Sequence, residues 1–321
     1  MSLGPLARLD LGEMPDTAAR QAPAISVPAS DSNDCFVLLR NSNGGRVYPW
    51  REYWDGLAAS YGRTDAQGFS PVLHPGAPAW FNALIDRLQE NAWREGLESC
   101  ELRDSSRVLD VGCGTGRWLR RYLQRNLVPV GVDATQGMLQ LAAASGVECQ
   151  LVVGCAQNLP FGDGIFDLVS AVTVIQHIPP EDQGYALQEM ARVLRPGGHL
   201  LLLELIRGQG PHIFSRRPSE WIQRASSAGL SLVGWRGQEY LVLDRAFVQI
   251  AQALWGLRRT NAAPSLPGRT SVGKNKPVST ARLAYWAIRR CTCALSEWIE
   301  PIVQNVCPGD WATHALFILK K

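Results

Sequence analysis

The sequence predicts an α/β fold, a mostly parallel seven-stranded sheet with helices on both faces, from three observations. From residue 107 onward, apolar strand segments alternate with amphipathic helical segments, the pattern of parallel strands joined by crossover helices. The first of these strands, Arg107–Val111, runs directly into Gly112, Gly114 and Gly116, and glycines let a backbone turn tightly and approach a ligand that any Cβ would obstruct. A helix follows at once, with Trp118, Leu119, Tyr122 and Leu123 on one apolar face. The loop therefore stands at the carboxyl end of a strand, where open α/β sheets bind ligands, and a nucleoside cofactor is the expected occupant.

The elements follow in order. Residues 1–45 mix Pro, Ala, Ser, Asp and Gly without periodicity and are expected to form a poorly ordered arm. Residues 46–100 are expected as a helical cap: Tyr53, Trp54, Leu57 and Tyr61 recur at helical spacing, and a second helix covers Ala79 to Glu95. The core, residues 101–243, reads as strand 107–111, helix 117–124, strand 129–132, helix 136–144, strands 149–153 and 166–171, helix 181–194, strand 199–206, helix 219–228 and strand 230–240. Arg195-Pro-Gly-Gly stops the helix before residue 199 and supplies the turn into the next strand. Residues 244–305 form an excursion far longer than a hairpin loop, read as helices 244–258 and 280–303 joined by a basic Pro/Gly-rich linker. In the second helix Leu283, Trp286, Ile288, Cys291, Leu295, Trp298, Ile299 and Ile302 give a broad apolar face, expected to pack on the core or to cover a pocket as a lid. A final strand, 313–320, lies in the closing segment 306–321.

Composition narrows the class. Hydrophobic residues make up 46% and charged residues 19% of the 321, values that suit a folded globular chain rather than a disordered one. None of the eight cysteines forms a Cys-x-x-Cys pair and no apolar signal segment opens the chain, so reduced thiols in a cytoplasmic setting are expected. Cys291, Cys293, Cys307 and His314 fit no common zinc spacing, and no metal is expected. No stretch reaches the roughly 18–20 uninterrupted apolar residues of a membrane span. The net charge of +3 conceals eight cations, Arg258, Arg259, Arg269, Lys274, Lys276, Arg282, Arg289 and Arg290, in a stretch without one acid. That stretch is either a solvated surface or the neighbour of something anionic.

Val108-Leu-Asp-Val-Gly-Cys-Gly-Thr-Gly resembles the first motif of class I S-adenosylmethionine-dependent methyltransferases, particularly the small-molecule group that includes quinone-biosynthesis and natural-product enzymes. Four further segments agree in order and spacing: Gly131-Val-Asp, Gly154-Cys-Ala-Gln-Asn-Leu-Pro-Phe, Phe166-Asp-Leu-Val and Leu194-Arg-Pro-Gly-Gly. The resemblance covers about residues 105 to 206. Nicotinamide-binding domains also use Gly-x-Gly, but Arg117 stands where their fingerprint wants its third glycine. The segment from residue 171 to 180, Ala-Val-Thr-Val-Ile-Gln-His-Ile-Pro-Pro, lacks the signature of enzymes that methylate base amino groups, so a nucleic-acid substrate is not expected.

The resemblance implies a Rossmann-like fold, S-adenosylmethionine as cofactor with S-adenosylhomocysteine as product, and a set of site residues. Asp110 with the loop Gly112, Cys113, Gly114 and Gly116 would hold the methionine moiety. Asp133 would accept both ribose hydroxyls, as two carboxylate oxygens allow, with Ala134 and Met138 bordering ribose and adenine. Cys155 replaces the family's usual aspartate, and a thiol is a weak acceptor, so the Ala156 amide and Gln157 would read the adenine beside it. Thr173 would line the cleft, and Tyr53 and Tyr61 would close over it. His177 resembles a histidine of the rebeccamycin-type sugar O-methyltransferases that belongs to a His-His pair and assists deprotonation; here Gln176 replaces the first of the pair. Glu204 falls where those enzymes have a catalytic aspartate and would orient His177 or take its proton.

These readings converge on O-methylation of a small or carrier-bound natural product, glycosylated or lipid-like, with the basic linker allowing an anionic group on it. Carbon methylation of a prenyl diphosphate or quinone precursor is the enzymatic alternative. A non-catalytic cofactor-binding assembly or regulatory protein is the alternative of another class, supported by the loss of the acid at Cys155.

Overall fold

The computed structural model describes residues 25–26, 50–61, 77–210, 212–255 and 280–321. The expected arm, apart from Ile25 and Ser26, and the linker cations from Arg258 to Lys276 lie outside them. In chain order the strands are β1 (Ile25–Ser26), β2 (Arg107–Val111), β3 (Val128–Asp133), β4 (Gln150–Val153), β5 (Phe166–Val172), β6 (Leu194–Leu205), β7 (Gln209–Gly210), β8 (Ile213–Phe214), β9 (Ser231–Gln238) and β10 (His314–Lys320). The helices are α1 (Trp50–Tyr61), α2 (Ala79–Glu98), α3 (Arg117–Leu123), α4 (Gln136–Ala144), α5 (Gln183–Val193), α6 (Pro218–Ser227), α7 (Val242–Trp255) and α8 (Thr280–Val306).

The seven predicted strands share one sheet in the order β4-β3-β2-β5-β6-β10-β9, and β1 extends its edge by pairing parallel with β4. β10 runs antiparallel between β6 and β9. Successive side chains of a strand point to opposite faces, and both faces are covered. Leu109, Val111, Val169, Leu200 and Leu202 meet Leu187 and Met190 of α5 and Trp221 of α6. Val108, Leu168, Leu201 and Leu203 meet Trp93 of α2 with Trp118 and Tyr122 of α3. Burial on both faces is why the central strands read as continuous apolar runs.

Two boundaries differ from the sequence reading. β6 begins at Leu194, opposite Phe166, while His199 lies opposite Leu168. Arg195-Pro-Gly-Gly is thus spliced into the strand as extra residues rather than standing before it, with Gly197 at φ 78° and Arg195 paired to Asp167 at 2.8 Å. The small β7–β8 hairpin was not predicted.

The larger correction concerns α8. Of the apolar face expected to pack inward, Ile288, Cys291, Leu295, Trp298 and Ile302 are exposed, while Trp286 and Ile299 are half-buried. The inward face mixes apolar Cys293 and Val303 with polar groups. Ser296 and Glu300 are buried; Ser296 Oγ accepts from the amides of Leu243 and Asp244, and Glu300 from those of Tyr240 and Leu241. Arg289 pairs with Asp244 at 3.0 Å. Ser296 and Glu300 thus satisfy amides at and just before the start of α7, which helical hydrogen bonds cannot reach.

A buried ionic chain ties α2 to the core. Asp86 receives Arg117 at 2.8 Å and Arg121 at 2.7 Å. Arg117 also donates to Gln89, Gln89 donates to Glu239, and Glu239 pairs with His314 at 2.9 Å. Arg117, which breaks the dinucleotide fingerprint, is therefore a buried structural cation with all but the rim of its side chain covered; such a charge persists only when paired.

Candidate functional site

The glycine loop is shaped by contacts that admit no side chain. Gly112, Gly114 and Gly116 have φ of 66°, 53° and 75°, in the left-handed region that costs other residues about 1–2 kcal/mol. A Cβ on Gly112 would stand 2.5 Å from a methyl of Val174, and one on Gly116 2.6 Å from a methyl of Val147. The amides of Gly112 and Cys113 donate to the carbonyl of Val132, which fixes the loop beside the end of β3. Cys113 is buried in the cluster between α3, α4 and β4.

Asp133 ends β3 and holds this loop. Its Oδ2 accepts from the Gly114 amide at 2.9 Å, and its Oδ1 accepts from the amide and hydroxyl of Thr135 at 2.9 and 2.8 Å. A carboxylate offers about four acceptor directions. Oδ1 is filled and Oδ2 keeps one, so the expectation of two accepted ribose hydroxyls is reduced to one. Ala134 is half-buried beside it. Met138 is buried against Tyr53, Leu57 and Ala58 of α1.

Asp110 is buried in β2. Ser170 donates to its Oδ1 at 2.7 Å, while Oδ2 has no hydrogen-bond partner among the described residues. Burial pushes its carboxyl up to about 7, against the Ser170 hydrogen bond and the nearby Arg117. A buried acceptor with no donor, beside a loop with glycine at every other position, fits a cationic group arriving with a ligand.

On the adenine side, Cys155 and Ala156 are buried and Gln157 is half-buried. Cys155 is disulfide-bonded, which removes its thiol from recognition and corrects the expectation of a reduced cysteine there; the six other described cysteines are free. Thr173 follows β5 at φ 56°, and a β-branched residue in that region is strained. Its amide donates to Leu203 at 2.7 Å.

Glu204 is what holds this strained segment. Fully buried in β6, its carboxylate accepts from the amides of Val174, Ile175 and Gln176 at 3.0, 2.8 and 3.0 Å. The expected pairing with His177 is not made: the three amides of the single helical turn Ile175–His177 present a concentrated donor set, and the carboxylate takes them. Burial pushes Glu204 up to about 7 despite those donors.

His177 instead meets the β7–β8 hairpin. Its Nδ1 lies 2.9 Å from the carbonyl oxygen of His212, so that nitrogen carries the proton and donates. Gln176 uses its Oε1 on the Leu205 amide at 2.8 Å, which turns its Nε2 toward His177 Nε2 at 3.2 Å. Burial pushes the imidazole down to about 4; it is neutral at neutral pH, with its lone pair on Nε2. His212 stacks on His177 with centroids 5.4 Å apart, Trp54 meets His177 edge-on at 5.3 Å, and Tyr53 lies 4.6 Å from His212. Tyr53 thus lies beside His212 and Trp54, whereas the side chain of Tyr61 lies outside the described residues. Trp54 was read from sequence only as part of a helical aromatic face, and His212 was not placed at the site, because a two-residue strand carries no periodicity to place its turn.

α1 reaches this position through Leu57 and Ala58 packing on Met138 of α4, where Gly137 lets the Ala58 methyl come close. The excursion of α7 and α8 leaves the carboxyl end of β9 and returns at the start of β10, so it emerges at the same end of the sheet as the glycine loop. Among the described residues there is no group of histidine, cysteine and acidic side chains arranged to hold a metal.

Residues 108–198 match a family described as a methyltransferase domain. The chain is 31% identical over 150 residues to an uncharacterized methyltransferase of Synechocystis sp., an alignment covering 44% of this chain and 66% of that protein. It is 32% identical over 163 residues to a demethylmenaquinone methyltransferase of Mycolicibacterium vanbaalenii, covering 50% of this chain and 69% of that one. Against another such enzyme, from Shouchella clausii, coverage of the relative falls to 55%, so the chain spans between about half and about two thirds of the curated relatives it matches. Among solved structures, the cyclase SpnF aligns with a TM-score of 0.49 at 19% identity, covering 85% of this chain and 94% of that one.

Proposed function

Because the chain belongs to the class I S-adenosylmethionine-dependent methyltransferases, we propose that it transfers a methyl group to a small, largely apolar acceptor carrying an acidic hydroxyl on an aromatic ring. The observation that carries this reading is His177: a neutral imidazole, its Nδ1 tied to the His212 carbonyl, set among Trp54, Tyr53 and His212 at the carboxyl end of β5. S-Adenosylmethionine, when bound, supplies a methyl group on a sulfonium centre for in-line displacement. The residues of this chain contribute alignment and dry surroundings. His177 Nε2 takes the hydroxyl proton, and the Gln176 amide gives way to it.

Burial weakens His177 as a base, and a weaker base needs a more acidic proton to remove, so a ring hydroxyl suits it better than an alcohol. This disfavours the sugar hydroxyl suggested by the rebeccamycin-type resemblance. Deprotonating a ring hydroxyl activates both its oxygen and the neighbouring ring carbon. The demethylmenaquinone methyltransferase relative supports the carbon, so a quinone precursor is the second reading. The basic linker that would favour a diphosphate acceptor falls outside the described residues. A screen of phenols, hydroquinones and sugars, scored by mass for one added methyl group and by fragmentation for O or C attachment, separates these acceptors. Donor binding without turnover on any of them would leave a binding protein.

His177→Ala is expected to lower kcat by about 100-fold, within the usual range for a general base, with donor affinity unchanged; equal turnover in the variant would remove His177 from the chemistry. Asp110 predicts a pH dependence. Its carboxyl titrates near 7, and a cationic ammonium group favours the ionised form, so donor affinity should rise as pH passes through 7. It should fall again as the ligand's own α-amino group deprotonates near about 8. In Asp110→Asn the rising limb should vanish; calorimetry from pH 6 to 9 would show whether it persists and so reject the pairing.

A further inference from the structure

The helical turn Ile175–His177 sets a fixed hydrogen-bond donor beside a fixed acceptor. The Leu205 amide donates to Gln176 Oε1 at 2.8 Å, which settles how the side-chain amide is turned: its oxygen is occupied, and the NH2 group is the end left to meet a neighbour. His177 donates from Nδ1 to the His212 carbonyl at 2.9 Å, which leaves Nε2 as an acceptor. These two nitrogens lie 3.2 Å apart. One Gln176 N–H is directed at His177, and the other has no partner among the described residues. Gln176 is only 6% exposed, and a buried N–H without an acceptor is costly to leave. Aromatic rings flank the pair, with His212 stacked on His177 and Trp54 edge-on to it. A few convergent polar groups among apolar walls are what orients a small ligand.

We infer that Gln176 and His177 together read an acceptor whose ring hydroxyl has a second oxygen on the adjacent ring carbon, as in a catechol. Gln176 is then a specificity-determining residue, and the assignment rests on the methyl-transfer reading of the same site. The hydroxyl donates to His177 Nε2 while the neighbouring oxygen accepts from Gln176 Nε2. Two parallel hydrogen bonds to the ligand thereby replace the single contact that now joins the two side chains. Oxygens on adjacent ring carbons stand about one hydrogen-bond length apart, roughly 2.8 Å, close to the 3.2 Å between the two nitrogens. Hydroxyls on opposite sides of a ring are too far apart to meet both, and a lone hydroxyl leaves the Gln176 N–H unanswered. A site built to bond two polar groups rejects an analogue that offers one, because its own buried group is then left unpaired. Glutamine suits this task better than a second histidine would. An imidazole at 176 could donate or accept, whereas an amide whose oxygen is already occupied can only donate.

Two isomeric naphthalenediols, one with adjacent hydroxyls and one with its hydroxyls on opposite rings, separate the geometry from size and polarity. Titrated into the full chain loaded with S-adenosylhomocysteine, the adjacent isomer should bind at least about tenfold more tightly. Gln176→Glu keeps an oxygen for the Leu205 amide and puts an acceptor where the donor was, so the ratio of the two affinities should fall to about one. A role for Gln176 confined to holding the Leu205 amide would weaken both isomers alike and leave that ratio standing. The comparison in the parent protein decides even where the variant fails to fold. Equal affinity for the two isomers, binding of neither, or a preference retained in folded Gln176→Glu overturns the inference. Selective binding of the adjacent isomer without methyl transfer to any phenol would count against the methyl-transfer reading alone, since the titration scores binding and not turnover.

Discussion

Asp133→Ala is expected to weaken S-adenosylmethionine binding about 100-fold. Its carboxylate anchors the Gly114 amide and both Thr135 donors, and one acceptor direction is left on Oδ2 for a ligand hydroxyl. A hydrogen bond to a charged group contributes about 1.5–3 kcal/mol, and about 2.7 kcal/mol corresponds to a factor of 100. The alanine variant loses the ligand bond and also frees a loop whose three glycines resist disorder only while held. Asp133→Asn should fall between the two, because one amide oxygen can still accept while the NH2 group meets donors. Titration calorimetry on the three proteins is the check; an alanine variant binding within a few-fold of the parent would place ribose recognition elsewhere.

Glu204→Ala should destabilise the protein by about 3–5 kcal/mol, since it leaves three buried amides without an acceptor and each costs about 1–3 kcal/mol, with some relief from entering water. For a protein of about 5–15 kcal/mol total stability, this is a drop in Tm of roughly 10 °C. Turnover should fall too, because the turn that carries His177 hangs from this carboxylate. Glu204→Gln gives a second reading. The folded carboxyl titrates near 7, above its ordinary 4.5. The native state therefore holds a proton that the unfolded chain has released, and the contribution of Glu204 to stability falls as pH rises from about 4.5 to about 7. His177, pushed down to about 4, contributes the opposite slope over much of that range, so the informative quantity is the difference between parent and Glu204→Gln. That difference should shift in favour of the glutamine variant as pH rises. A difference that stays flat with pH would mean Glu204 is ionised throughout.

Much of the scaffold was legible because local signals agreed with the global arrangement: doubly buried strands are continuous apolar runs, and the glycine loop announces both a strand end and a ligand. The site was legible where backbone decides it, as at Gly112–Gly116 and Asp133. It was not legible where side chains choose between partners across strands. Glu204 could be placed at a strand end, but whether it turns to His177 or to three amides depends on the strained turn at Thr173, which no sequence pattern reports. Arg117 was visible as a broken fingerprint; its partner Asp86 lies on another helix. α8 misled for a physical reason: an apolar stripe normally marks the buried face, yet the α7 amides required polar partners and drew Ser296 and Glu300 inward.

The contact between Gly112 and Val174 has a thermodynamic consequence. The valine methyl fills the space where a Cβ would stand, so the loop that faces the methyl donor and the turn that carries His177 move as one packed piece. Occupancy on either side then biases the same small set of arrangements. If bound donor tightens acceptor binding by some factor, bound acceptor must tighten donor binding by that factor. Enlarging or shrinking Val174 should change this cooperativity before it changes either affinity alone.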